Sequence, residues 1–158
     1  MKKSLLFVLV AIGCVFAITG CKKNNATVTT LNPYMTATIG TYNFAAKTVV
    51  PALVDTQGYD SVSALYITGN TSDLVYVNDK IVLGVSRFHG VTGTFSIVQG
   101  QASAAFIHNG LNDVAVGGIV AITKITNNSL IGYFSFQTGS GVLVSNGSFS
   151  VGNPWYFY

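Results

Sequence analysis

His89 and His108 are the only two histidines in the chain, and imidazole is the side chain whose ordinary titration falls near neutral pH. What they could do depends on their neighbours. A metal site needs three or four converging ligands, usually His, Cys or carboxylate. The carboxylates on offer are Asp55, Asp60, Asp73, Asp79 and Asp113, scattered along the sequence, with no glutamate. His89 adjoins Gly90 and His108 precedes Asn109-Gly110, so both read as loop histidines in solvent, and no metal ligand is assigned. Nucleophilic catalysis has no Gly-x-Ser-x-Gly to build on. A glycosidase pair would have to be drawn from aspartates alone. The glycines of GTYNF, GVTGTF and GSGV do not open a helix with Lys-Ser or Lys-Thr, so no phosphate cradle is expected. No catalytic residue, metal or cofactor is assigned, and the chain reads as a protein that is not an enzyme.

The remaining reactive group is a thiol. Residues 1–25 read MKKSLLFVLVAIGCVFAITGCKKNN: two lysines, an apolar run, then Cys21 followed by Lys22 and Lys23. A membrane span needs about 20 apolar residues to cross roughly 30 Å. This run is shorter, contains Gly13, Thr19 and Gly20, and reads as the core of a signal peptide. Its end, Ile18-Thr19-Gly20-Cys21, resembles the lipobox of bacterial lipoproteins. The resemblance implies that Cys21 takes a diacylglycerol on sulfur, that residues 1–20 are cut away, and that the new amine receives a further acyl chain such as palmitate. One acyl chain holds a protein to a membrane only marginally, whereas two or more hold it stably.

Without residues 1–20 the chain keeps 138 of its 158 residues, enough for one domain with a core. Cys14 leaves with the leader and Cys21 carries lipid, so no disulfide is expected and packing alone must hold the fold. The formal charge of +3 comes from the amino-terminal lysines. From residue 26 on, Lys47, Lys80, Arg87 and Lys124 stand against the five aspartates, with no basic stripe for nucleic acid. Abundant Thr, Ser and Asn must then hydrate the surface, and β-branched and aromatic residues suit a pleated one.

The expected organisation is a signal peptide over 1–20, a flexible tether over 21–34 and a single β domain over 35–158. Short runs separated by Gly, Asn and Asp mark strands. MTATI and YNFAA flank Gly40-Thr41 as a first hairpin. SVSALYIT, KIVLGVSRF, GTFSIV, SAAFIH, GIVAITKI, LIGYFSFQT and GVLVSNGSFSV follow, with Asn109-Gly110 and residues 126–129 as turns. In LIGYFSFQT, Phe134 and Phe136 share one face and Tyr133, Ser135 and Gln137 the other. A turn of helix is expected near Asp60–Tyr66 and little helix elsewhere. About eight to ten strands imply an antiparallel β-sandwich or a lipocalin-like barrel, since an open sheet of that size would leave bare edges.

The sequence of MTATIGTYNFAA, GTFSI, GGIVAITKITNNSLIGYFSFQT and VSNGSFSV after a lipobox resembles small lipoproteins of unknown function from Bacteroidota. The resemblance implies an all-β domain and an outer-membrane lipid anchor. Surface-exported relatives often carry acidic residues after the cysteine, and Lys22-Lys23 stand there instead, so periplasmic and surface-facing addresses both stay open. The expected role is recognition of a glycan or an envelope protein at the surface. The alternative is a barrel holding a small apolar ligand, walled by residues such as Phe134 and Phe136. Trp155 in the closing NPWYFY is either a plug of the core or a platform for a sugar or partner. Asp60-Ser61-Val62 fits a loose O-glycosylation pattern, whereas the Asn-x-Ser/Thr triplets at Asn25, Asn70, Asn127 and Asn146 read as turn chemistry.

Overall fold

The computed structural model describes residues 32–56, 62–71 and 79–154. Within them ten antiparallel strands form: β1 (Tyr34–Ile39), β2 (Tyr42–Ala45), β3 (Thr48–Thr56), β4 (Val62–Asn70), β5 (Lys80–Val85), β6 (Gly93–Ser96), β7 (Ala102–His108), β8 (Leu111–Ile125), β9 (Ser129–Thr138) and β10 (Leu143–Gly152). The protein is all-β, as alternation in the sequence indicates. The leader, Cys21 and most of the tether lie outside the described residues, as do Asp60, Ser61, Asp73 and Trp155.

The strand order is β2-β1-β10-β9-β8-β7-β5-β4-β3, with β6 on the far side of β8. The two ends of that order, β2 and β3, are consecutive in the chain. Only Ala46 and Lys47 separate them: Ala46 N donates to the Met35 carbonyl at 2.8 Å and Lys47 N to the Asn70 carbonyl at 2.9 Å. One extended segment thus leaves β1 and joins β4, and the sheet curls until its ends meet there. β3 also touches β10 and β1 across the interior.

A second corner lies in β8, whose 15 residues serve two partners. Leu111 to Val114 pair with β7, and from Ala115 on the strand pairs with β9 through a bulge between Ala115 and Gly117. Gly118 takes φ +131° at this corner, and a β-carbon there would run into the Ser135 carbonyl and the Phe136 backbone. Only glycine fits. The buried ring of Phe88 meets Phe95 of β6 edge-on at 6.4 Å.

The two corners divide the curled sheet into facing halves. Met35, Phe44, Val120, Phe134 and Phe149 point inward from one half; Leu65, Ile67, Ile81, Leu83 and Phe106 point inward from the other, in one continuous core. Phe134 stacks on Phe136 at 6.2 Å and on Phe149 at 6.5 Å. Gly147 and Gly132 supply the space: a β-carbon at either would strike the ring of Phe134 or Phe149. These rings pack on one another and on bare backbone.

One expectation needs correction. The helical turn near Asp60–Tyr66 is absent over Val62–Tyr66, which belongs to β4. Pairing with β3 along the whole stretch, and with β5 at Leu65 and Tyr66, holds it extended. Thr48–Thr56, absent from the runs read in the sequence, is a strand although Pro51 interrupts it. β3 ends the strand order, and at an edge a missing N–H costs no ladder bond on the open side.

Candidate recognition cleft

Alternation carries the core face past the ends of the strands, and at one end of the molecule it reaches polar residues. Ile81, Leu83 and Val85 point inward from β5, so Asp79, two residues before Ile81, is on the same face and buried. Ala102, Ala104 and Phe106 point inward from β7, so His108 continues that row at its rim. The register pairs Lys80 with Ile107, which places Asp79 opposite His108 one step further on. Tyr42 shares the inward face of β2 with Phe44 and sits opposite Ile39.

Local turns fix each of these groups. Gly40 takes φ +58° and lets β1 return as β2, bringing Tyr42 to the rim. Gly40 N donates to the Leu143 carbonyl at 3.0 Å, which ties this hairpin to the start of β10. Asp79 is held at the base of the β4–β5 connection: its N–H donates to Thr71 Oγ1 at 3.2 Å, and Thr71 N donates to its carbonyl at 3.0 Å. After His108, Asn109 (φ +51°) and Gly110 (φ +80°) make the expected tight turn into β8.

The side chains then form a chain of hydrogen bonds. His108 Nδ1 donates to Asp79 Oδ1 at 2.7 Å, which leaves Nε2 as an acceptor for Asn109 Nδ2 at 2.9 Å. Tyr42 lines the same cleft as this carboxylate. Burial pushes the Tyr42 phenol above its ordinary value, and the charge of Asp79 and its acceptor oxygens push it the same way. The His108 ring also lies 6.0 Å from that of Phe106, tilted by 30°. Asp79 is only 5% exposed at its side chain, whereas His108 is 52% exposed and Tyr42 45%. A buried anion is thus overlain by two half-exposed rings.

Around them opens a cleft of about 870 Å³. Ile39, Phe106, Val142 and Leu143 make apolar walls, and Asp79, Tyr42 and His108 supply the polar groups. Pockets of this kind, with apolar sides and a few placed polar atoms, are where proteins hold small ligands. An ionised carboxylate accepts at up to about four positions. Among the described residues, His108 is the side-chain donor bonded to it.

The two histidines therefore part company. His89 is exposed in a loop, as the sequence reading has it. His108 is not a loop histidine in solvent but the last residue of β7, bonded to Asp79. Among the described residues no group of three His, Cys, Asp or Glu side chains converges as metal ligands. The sequence reading missed Asp79 and Tyr42. The available signal was parity: stepping back two residues from Ile81 lands an acid on an inward position. Asp113 plays a different part. It receives Ser140 Oγ and Ser140 N, the latter at 3.3 Å, and clips β8 to the β9–β10 turn. Hydrogen bonds from Ser140 first, then Thr138, hold its carboxyl below the usual carboxylate range.

Compared with known proteins, the chain matches no family model, no curated protein and no solved structure.

Proposed function

We propose that this is a lipid-anchored envelope protein that binds a carbohydrate at the Tyr42–Asp79–His108 cleft and does not transform it. Lipidation at Cys21, with removal of residues 1–20, would hold the domain at an outer-membrane surface through two or more acyl chains. The observation that carries the binding reading is the buried Asp79 carboxylate beneath half-exposed Tyr42 and His108. A sugar ring offers hydroxyl donors for such an acceptor and an apolar C–H face for Tyr42 and Leu143. A non-catalytic role is supported by His108 Nε2, which takes its hydrogen bond from Asn109 and not from a serine hydroxyl.

A second reading rests on the walls. Ile39, Phe106, Val142 and Leu143 favour a small ligand with an apolar body and one donor for Asp79. The apolar-ligand alternative belongs here, at the mouth between the sheet halves, because the rings of Phe134 and Phe136 pack on each other. Retention of the mature protein on immobilised neutral oligosaccharides distinguishes the two. Carbohydrate binding predicts retention that free sugar elutes and that Asp79→Asn abolishes. Displacement of a fluorescent apolar probe without any retention on sugars would favour the second reading.

A further inference from the structure

Charge narrows the ligand of the Tyr42–Asp79–His108 cleft. Asp79 is the formal charge that points into it, and among the described residues lining it none is lysine or arginine. Lys80 is next in the chain, but Asp79 and Ile81 both point inward, so alternation turns the Lys80 side chain to the opposite face of the sheet. His108 Nδ1 donates to Asp79 at 2.7 Å, and with Nε2 accepting from Asn109 at 2.9 Å it does so as a neutral imidazole. The carboxylate is thus hydrogen-bonded by a group that leaves its charge uncancelled.

An anion taken out of water without a counter-charge carries a large desolvation cost. A ligand hydroxyl adds a hydrogen bond to it. A ligand ammonium adds the hydrogen bond and an attraction between full charges, stronger at a buried carboxylate than in open water. The rings beside Asp79 favour the same guest. Tyr42 and Phe106 both line the cleft, and an aromatic face attracts a cation within about 6 Å of its centre. The protein already registers this potential: after burial, the negative charge of Asp79 is the next cause holding the Tyr42 phenol above its ordinary value. Ile39 and Leu143 leave an apolar wall for the rest of the ligand.

We infer that the cleft selects a ligand with a positively charged amine, seated on Asp79 beside the rings of Tyr42 and Phe106, its apolar part lying along Ile39 and Leu143. The inference rests on the reading of this cleft as a binding site and deepens it: an amino sugar is preferred to the same sugar without the charge. An amino sugar and an aliphatic amine share this chemistry, and matched pairs of ligands separate them.

NMR titrations of the labelled mature protein at neutral pH test this with a glucosamine trisaccharide against its fully N-acetylated form, and with cyclohexylamine against cyclohexanol. The amine is expected to bind roughly tenfold tighter than its neutral partner, with shifts centred on Tyr42, Asp79 and His108. Added salt should shrink that advantage. Asp79→Asn should abolish amine binding, whereas Asp113→Asn, at an acid already bonded to Ser140, should leave it within about twofold. Binding of cyclohexylamine with neither sugar bound would keep the inference and remove the carbohydrate reading. A neutral member that matches its amine in either bound pair would overturn the inference and leave the carbohydrate reading standing wherever a sugar binds. Equal losses in Asp113→Asn and Asp79→Asn would also overturn it, and no binding by any of the four ligands would sink both.

Discussion

His108 and Asp79 stand 29 residues apart in the chain and share a hydrogen bond of 2.7 Å at the rim of the core. Their meeting is a consequence of register, since the ladder that pairs Lys80 with Ile107 leaves them as the next opposed positions. Neither a loop conformation nor a special motif brings them together. What makes the pair unusual is its asymmetry, with the acid buried and the imidazole half in solvent.

That asymmetry predicts unequal mutational costs. Asp79→Ala strips the acceptor from His108, and hydrogen bonds to charged groups are worth about 1.5–3 kcal/mol. A loss of that size is expected in urea-induced unfolding. His108→Ala leaves the buried carboxylate without its imidazole donor and should cost more than Asp79→Ala, which orphans a ring already half in solvent.

Alkaline pH should loosen the same end. Tyr42 keeps its proton to higher pH in the folded chain than in the unfolded one. Between those two values the unfolded chain binds fewer protons, so stability falls as pH rises above about 10. Absorbance of tyrosinate against pH should show one phenol titrating late. Asp79→Asn should move that phenol downward, and Tyr42→Phe should remove it.

At the acid end the relevant group is Asp113. Its folded carboxyl titrates below the ordinary range, chiefly through Ser140. Its contribution is therefore complete above the unfolded value and disappears as pH falls through the folded one. In Ser140→Ala the Asp113 carboxyl should titrate at higher pH, observed by carbon-detected NMR. The stability that the chain loses between neutral and acid pH should then be smaller, because Asp113 contributes less to begin with.

Glycine at the packed face of β10 is a steric requirement. In Gly147→Ala the new methyl meets the Phe134 ring and backbone, with no side-chain end free to yield. Overpacking of this kind costs about 1–3 kcal/mol. Gly100→Ala, at a turn where nothing lies within 4 Å, isolates the backbone cost of a positive φ. Its loss should be the smaller of the two in thermal unfolding.

Much of the fold was legible because strands that bury one face must alternate, and LIGYFSFQT does so residue for residue. Asn109-Gly110 and Gly40-Thr41 fixed two hairpins for the same local reason. What was hidden is what depends on partners far along the chain. Thr48–Thr56 is a strand because it sits at the end of the strand order, where Pro51 is tolerated, and no local pattern announces that position. The bend of β8 at Gly118 is set by the Ser135 and Phe136 backbone pressed against it. His108 looked like a turn residue because it precedes Asn-Gly. Its strand parity was equally visible and pointed inward, but the acid it meets lies on another strand.

The most direct test of binding at the cleft is a titration of the isotopically labelled mature protein with neutral oligosaccharides, followed by amide and imidazole NMR signals. The account predicts saturable shifts confined to Tyr42, Asp79, His108, Asn109 and Leu143, and their loss in Asp79→Asn. Saturable shifts centred on another surface, or a full panel of sugars that leaves those five residues unmoved, would contradict it.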